Sequence, residues 1–257
     1  MGALKAGNRT AGEVVVTVAA CLCIMLMSTA ASLYAAGSSE IRPAGGRITG
    51  VVQVEGALPK LEPLKIIKDK DVCQNVPNES LLVGGAEHGL QNAVVTLEGA
   101  PKEVSSAVRP AYAVFRLTNL GCRFVPHVLV MQSHDELEIS NADPILHTAR
   151  ALPAQVDIGL YPGRAVRKEI GAPAPGPVAI SCEIHPWMRA YVYLADNQYY
   201  AVTDLHGEYE IDNVPPGKYR VKIWHELLGT EVGTVAVTAG KTTEFNFKFD
   251  SGKTASR

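Results

Sequence analysis

The sequence predicts an all-β chain. The 257 residues include 23 Gly and 16 Pro, and these separate short runs instead of long helical patterns. The runs are rich in β-branched and aromatic residues, as in Ile48–Val54 and Tyr219–Trp224. Leu137 and Ile139 alternate with Glu136, Glu138 and Ser140, the period of a half-buried strand. The composition is globular, 47% hydrophobic and 19% charged, and a net charge of −2 offers no basic field for nucleic acid.

The N-terminus is expected to lie outside the fold. Lys5 and Arg9 precede the uncharged run Val14–Ala36, which ends on small residues at Ala35-Ala36-Gly37. A basic stretch, an apolar stretch and a small-residue end make residues 1–37 an export signal, which places the protein in the periplasm or outside the cell. The run is long for a signal, so a retained membrane anchor is the alternative, and only in that case is a membrane a partner. Export leaves Cys73, Cys122 and Cys182 in the mature chain. An oxidising compartment permits one pair among them. If Cys182 is a ligand, Cys73 and Cys122 are either a disulfide or two buried small hydrophobes.

Ile48–Val54 is the first expected strand, closed by Glu55-Gly56, and Lys60–Leu90 is polar and irregular. Ala93–Leu97 is a strand and Pro101–Pro110 a linker. Ala111–Leu117 alternates weakly, and Val128–Met131 is continuously apolar, as a strand buried on both faces would be. The strand through Leu137 and Ile139 stops at the turn Asn141-Ala142-Asp143-Pro144. Arg164–Ile170 is a weaker strand, and the Pro-rich stretch 172–177 excludes regular structure. Val178–Ser181 leads into a loop at Cys182, and Ala190–Leu194 leads out. Thr203–Ile211 reads as a turn and then a strand, Val214–Tyr219 is a second turn, and Tyr219–Trp224 is another strand. Val232–Val237 and Thr242–Phe249 complete the chain, with Phe245, Phe247 and Phe249 on one face.

The loop Cys182-Glu183-Ile184-His185-Pro186-Trp187-Met188 brings a thiolate, an imidazole and a thioether together. These soft and borderline donors favour copper over magnesium or calcium, and two histidines, a cysteine and a weak axial methionine make a one-electron copper site. Zinc ordinarily takes four strong ligands, so a methionine in fourth place argues for copper. His147, just beyond a strand and turn, is the best candidate for the missing histidine. Of the other histidines, His88, His134 and His206 lie in turns and are expected to be solvated. His127 and His225 are expected to be structural, with His127 also a candidate to support a ligand.

These residues resemble a family. From about Ala111 to Asp196 the chain is similar to a cupredoxin. FVPHVLVMQSHDELEISNADPILHT matches its early strands and first copper histidine, and ISCEIHPWM its ligand loop. The spacing C-x₂-H-x₂-M, with proline after the histidine, is similar to amicyanin. The resemblance implies a Greek-key β-sandwich over 110–196 and one type 1 copper ion on His147, Cys182, His185 and Met188. It also implies a surface-facing His185, through whose ring edge electrons leave, with Pro186 and Trp187 as an apolar docking rim. The family usually carries asparagine after the first histidine. Thr148 stands there and is expected to bond less extensively. His134 replaces the usual turn glycine, an uncomfortable choice if φ is positive.

AVTDLHGEYEIDNVPPGKYRVKIWHE resembles a second family, the carboxypeptidase regulatory-like (transthyretin-like) sandwich. Its opening strands match GRITGVVQVEG and NAVVTLEG, far upstream. The expectation is therefore a smaller β-sandwich made of residues 46–100 and 197–250, interrupted by the cupredoxin. It carries no nucleophile beside a base.

The function expected is single-electron transfer between exported redox proteins, such as a c-type cytochrome and a dehydrogenase. With no Cys-x-x-Cys-His and no second histidine cluster, the chain is not expected to be an enzyme. The alternatives are a copper carrier and a non-redox structural or adhesion protein.

Overall fold

A computed structural model describes residues 45–85, 87–101, 113–151 and 154–252. The expected export signal, and the expected linker from residue 102 onward, lie outside the described residues. The described chain is all-β, with its strands in four sheets. Among the described residues no helix is long and apolar enough to cross a membrane.

Two sheets enclose the core that contains Cys182. One runs in the order Val156–Leu160, His147–Ala151, Gly176–Ser181, Arg189–Ala195, Val128–Gln132. The other runs Ala165–Glu169, Glu136–Asn141, Val114–Asn119, Phe124–Val125. Leu117, Leu137, Ile139, Ile180 and Val192 meet between them. The Glu136–Asn141 strand alternates as its sequence does, with Leu137 and Ile139 wholly buried.

The other two sheets enclose a second core. The strand Gly46–Glu55 pairs antiparallel with Glu208–Val214 and parallel with Thr242–Glu244 and Phe247–Asp250. Val94–Glu98 lies between Tyr200–Val202 and Gly217–His225, and Gly229–Val237 closes the edge. Ile48, Val52, Leu97, Val221, Ile223 and Phe249 fill the space between them. Residues before 101 and after 198 thus share one core. Ile66, Val72, Cys73 and Val76, from the irregular stretch, instead pack into the core that holds Cys182.

The expected single strand Thr242–Phe249 is broken. Asn246 interrupts it, and its Oδ1 accepts the Val51 N–H at 2.8 Å, a bond that a backbone carbonyl would otherwise make. Phe245 N–H still donates to Thr49 O, so the direction is kept across the break. A Cβ on Gly50 would sit 2.0 Å from Phe245 O, so only glycine admits this approach.

A third apolar cluster joins the two cores. Strand alternation sends Leu129 and Met131 into the first core, while Val128 and Val130 face Val94 and Trp224. The Trp224 ring lies 5.2 Å from that of Tyr191 and 5.7 Å from that of Tyr193. The apolar run Val128–Met131 is therefore buried on both faces, as its sequence predicts.

Candidate metal centre

Three of the four sequence-predicted ligands converge at one end of the first sandwich. His147 opens its strand, and Cys182 and His185 lie in the loop between two paired strands. One donor atom from each of His147, Cys182 and His185 lies within 4.8 Å of the others, and all three residues are buried. Met188 is buried in the same core. The loop is tight because Cys182 N–H donates to Met188 O at 3.2 Å and Met188 N–H donates to His185 O at 2.9 Å.

The imidazoles are oriented by carboxylates. His147 Nε2 lies 3.0 Å from Asp143 Oδ2, and His185 Nε2 lies 2.9 Å from Asp69 Oδ2. A carboxylate accepts, so each Nε2 carries the proton and each Nδ1 keeps a lone pair. His147 Nδ1 is buried and has no hydrogen-bond partner among the described residues. His185 Nδ1 lies 3.7 Å from Cys182 Sγ. A sulfur at about 2.3 Å and a nitrogen at about 2.0 Å from one ion, 120° apart, are roughly 3.7 Å from each other. The ring centroids of the two histidines are 4.6 Å apart.

The sulfur is poised as a thiolate. Burial works to raise the Cys182 thiol, but the hydrogen-bonding groups around it, the Thr148 N–H and hydroxyl among them, outweigh it and lower the pKa from 9.0 to about 6. Thr148 N–H points at Sγ from 3.3 Å and the hydroxyl from 3.6 Å. The same hydroxyl accepts the Glu183 N–H at 2.8 Å. Thr148 therefore makes three hydrogen bonds linking the first histidine's strand to the ligand loop, more than was expected of a threonine here.

Sequence reasoning missed two residues of this site. Asp143 Oδ1 accepts the Gly121 N–H at 2.7 Å, and Oδ2 accepts the Cys122 N–H at 2.9 Å as well as His147. A carboxylate in the turn four residues before a candidate ligand was a readable signal. Asp69 had none, since it lies in an irregular stretch remote in sequence. Asp143 and His147 also come close to the Cys122 sulfur. That sulfur is bonded to Cys73, with Cα atoms 5.4 Å apart, so it is no thiolate donor. The cysteine question is thereby answered as a disulfide, with Cys182 the free thiol among the described residues.

The expected surface position of His185 is not found. Its relative exposure is 0%. Ile66, Val72 and Val76 pack into the adjoining core, and the Cys73–Cys122 bond ties that stretch down, so Asp69 meets the ring edge. Trp187 lies against the ring at a centroid distance of 5.1 Å, and its Nε1 donates to Cys122 O. Trp187 is half-buried, while Pro186 is exposed. His134 does not take a positive φ, so the turn costs it nothing. His88, His134 and His206 are exposed, and His225 is buried. His127 pairs with Glu226.

Comparison with known proteins gives short stretches of likeness. A family model described as "Polysaccharide lyase family 4, domain II" matches residues 176–245. No curated protein matches. Among solved structures, the Cu-containing nitrite reductase (NirK) from Thermus scotoductus SA-01 is 22% identical at a TM-score of 0.29. The match covers 37% of this chain and 25% of that one, so the chain spans about a quarter of its length. A novel purple cupredoxin from Nitrosopumilus maritimus is 17% identical at a TM-score of 0.26, covering 31% of this chain and 98% of that one. An oxidized mutant of amicyanin is 13% identical at a TM-score of 0.28, covering 39% and 98%.

Proposed function

We propose that the protein carries single electrons through one type 1 copper ion held by His147, Cys182, His185 and Met188. The observation that carries this reading is the orphaned His147 Nδ1, buried beside a depressed thiol and a second imidazole whose lone pair also faces the sulfur. A buried polar atom without a partner is costly, so Nδ1 is suited to bind a metal ion. Copper bound there would supply a one-electron couple. The chain's own part is to hold the donors. Asp143 and Asp69 fix the ring tautomers, Thr148 restrains the sulfur, and the loop hydrogen bonds fix Met188 relative to His185. Burial of all four side chains excludes water, which favours electron transfer over substrate binding at the metal. It also argues against a copper carrier, which must present an open site for handover.

On this reading the chain is not an enzyme, and it acts in the periplasm or outside the cell after export by residues 1–37. Its partners are other exported redox proteins, a c-type cytochrome or a dehydrogenase. Residues 110–196 form the cupredoxin. Residues 46–100 with 197–250 form a carboxypeptidase regulatory-like sandwich that serves as scaffold, a division supported by the pairing of Gly46–Glu55 with strands beyond residue 207. The test is to add Cu(II) to the exported protein. An intense visible thiolate-to-copper band, abolished in Cys182→Ser, is the expected result. A colourless product, or colour that survives that substitution, overturns the proposal.

A further inference from the structure

We infer that Asp69 is an outer carboxylate of the metal centre, one that orients His185 and biases the centre toward its oxidised form. The inference rests on the copper reading above. It concerns a residue supplied from outside the strands that build the site.

The geometry sets Asp69 apart from an ordinary surface acid. Its Oδ2 lies 2.9 Å from Nε2 of a ring that is itself fully buried. Its backbone is held in a left-handed turn, φ 48°, with its carbonyl accepting the N–H groups of Val72 and Cys73 at 3.0 and 2.8 Å. Residues rarely adopt that conformation without compensation, and here Cys73 is bonded covalently to Cys122. Cys122 in turn donates its N–H to Asp143, the carboxylate that orients His147. One disulfide therefore fastens together both carboxylate–imidazole pairs. The two pairs are equivalent in chemistry: each carboxylate takes the proton side of its ring and leaves Nδ1 facing the sulfur.

A carboxylate on the far side of a ligating imidazole raises the ring's basicity, and its charge favours the more highly charged metal ion. Loss of such a partner typically weakens metal binding 10- to 100-fold. Taking that loss to fall on Cu(II) alone, whose higher charge Asp69 complements, its lower end is about a tenfold preference for Cu(II) over Cu(I). For a one-electron couple this is about 59 mV.

Asp69→Asn keeps an acceptor oxygen and removes the charge, and Asp69→Ala removes both. Reduction potentials of the copper-loaded proteins, their visible spectra, and solvent exchange of the His185 Nε2–H by histidine-selective NMR of the apo proteins separate the possibilities. Both variants are expected to keep the visible band and to shift the equilibrium about tenfold toward the reduced form. In the wild type the Nε2–H is expected to be protected, and in Asp69→Ala to exchange freely. Blue variants whose potentials stay within about twofold of the wild-type equilibrium overturn the inference, because a merely structural residue changes stability and not potential. A wild type whose Nε2–H exchanges as fast as that of Asp69→Ala overturns it too. Absence of the band from the wild type refutes the copper reading itself, and the apo-protein NMR then still decides whether Asp69 holds His185.

Discussion

His225 makes the protein sensitive to acid in a narrow window. Its ring is 1% exposed, and its Nδ1 accepts the N–H groups of Leu227 and Leu228 at 3.3 and 3.4 Å. Protonation would turn that acceptor into a donor facing two donors. Burial, with a smaller push from the nearby His127, lowers its pKa from 6.5 to about 4. Between these values the unfolded chain binds a proton that the native ring refuses. Stability is therefore unaffected above pH 6.5, falls as the pH drops through the window, and levels off below pH 4. The gap corresponds to about 3 kcal/mol, a large share of a domain's net stability. His225→Asn offers a carbonyl near the Nδ1 position and does not titrate. Urea unfolding of the apo wild type and this variant, from pH 7.5 to pH 4, isolates the effect, since all other groups titrate in both. The wild type should lose about 3 kcal/mol more than the variant on acidification. Parallel curves would refute the reasoning.

Three further outcomes are expected. Replacing Cys73 and Cys122 together by serine opens a loop whose ends are 49 residues apart, which should cost about 4 kcal/mol by chain entropy, read as a lower denaturant midpoint that added reductant does not lower further. Thr148→Val removes the hydroxyl between Cys182 and Glu183. Ultraviolet titration of the apo protein should then show the thiol pKa rising above about 6, at a cost of about 1 kcal/mol in unfolding free energy. Trp224→Ala empties the cluster between the two cores and should cost about 3 kcal/mol or more, measured by urea unfolding.

The strands were legible where one physical cause dominated. Val128–Met131 reads as buried on both faces because every residue in it is apolar, and the alternation around Leu137 reads as half-buried because its polar residues face outward. The candidate donors stood out because a cysteine, a histidine and a methionine fall in one short loop. The carboxylates behind the histidines were not. Asp143 looks like any turn residue, and Asp69 reaches His185 across 116 positions of sequence, a contact with no local signature. The same is true of the burial of His185, which depends on apolar residues scattered through a polar stretch. The break at Asn246 escaped notice because a side chain there does what a backbone carbonyl ordinarily does.

The pairing of Gly46–Glu55 also dictates an order of assembly. Among the described residues, and apart from contacts with His88 and Gly89, that strand has its partners in Glu208–Val214, Thr242–Glu244 and Phe247–Asp250. As the chain is synthesised, this strand must wait, half apolar and largely unpaired, until Glu208–Asp250 has emerged. The strands around Cys182 are contiguous, from Val114 to Ala195, and can close while it waits. Once they have closed, the ends that remain free are already drawn together, so the later pairing closes a much shorter effective loop. A deletion of only the last strands would then leave the end bearing Cys182 formed and the Gly46–Glu55 strand with a bare edge prone to pair with another chain.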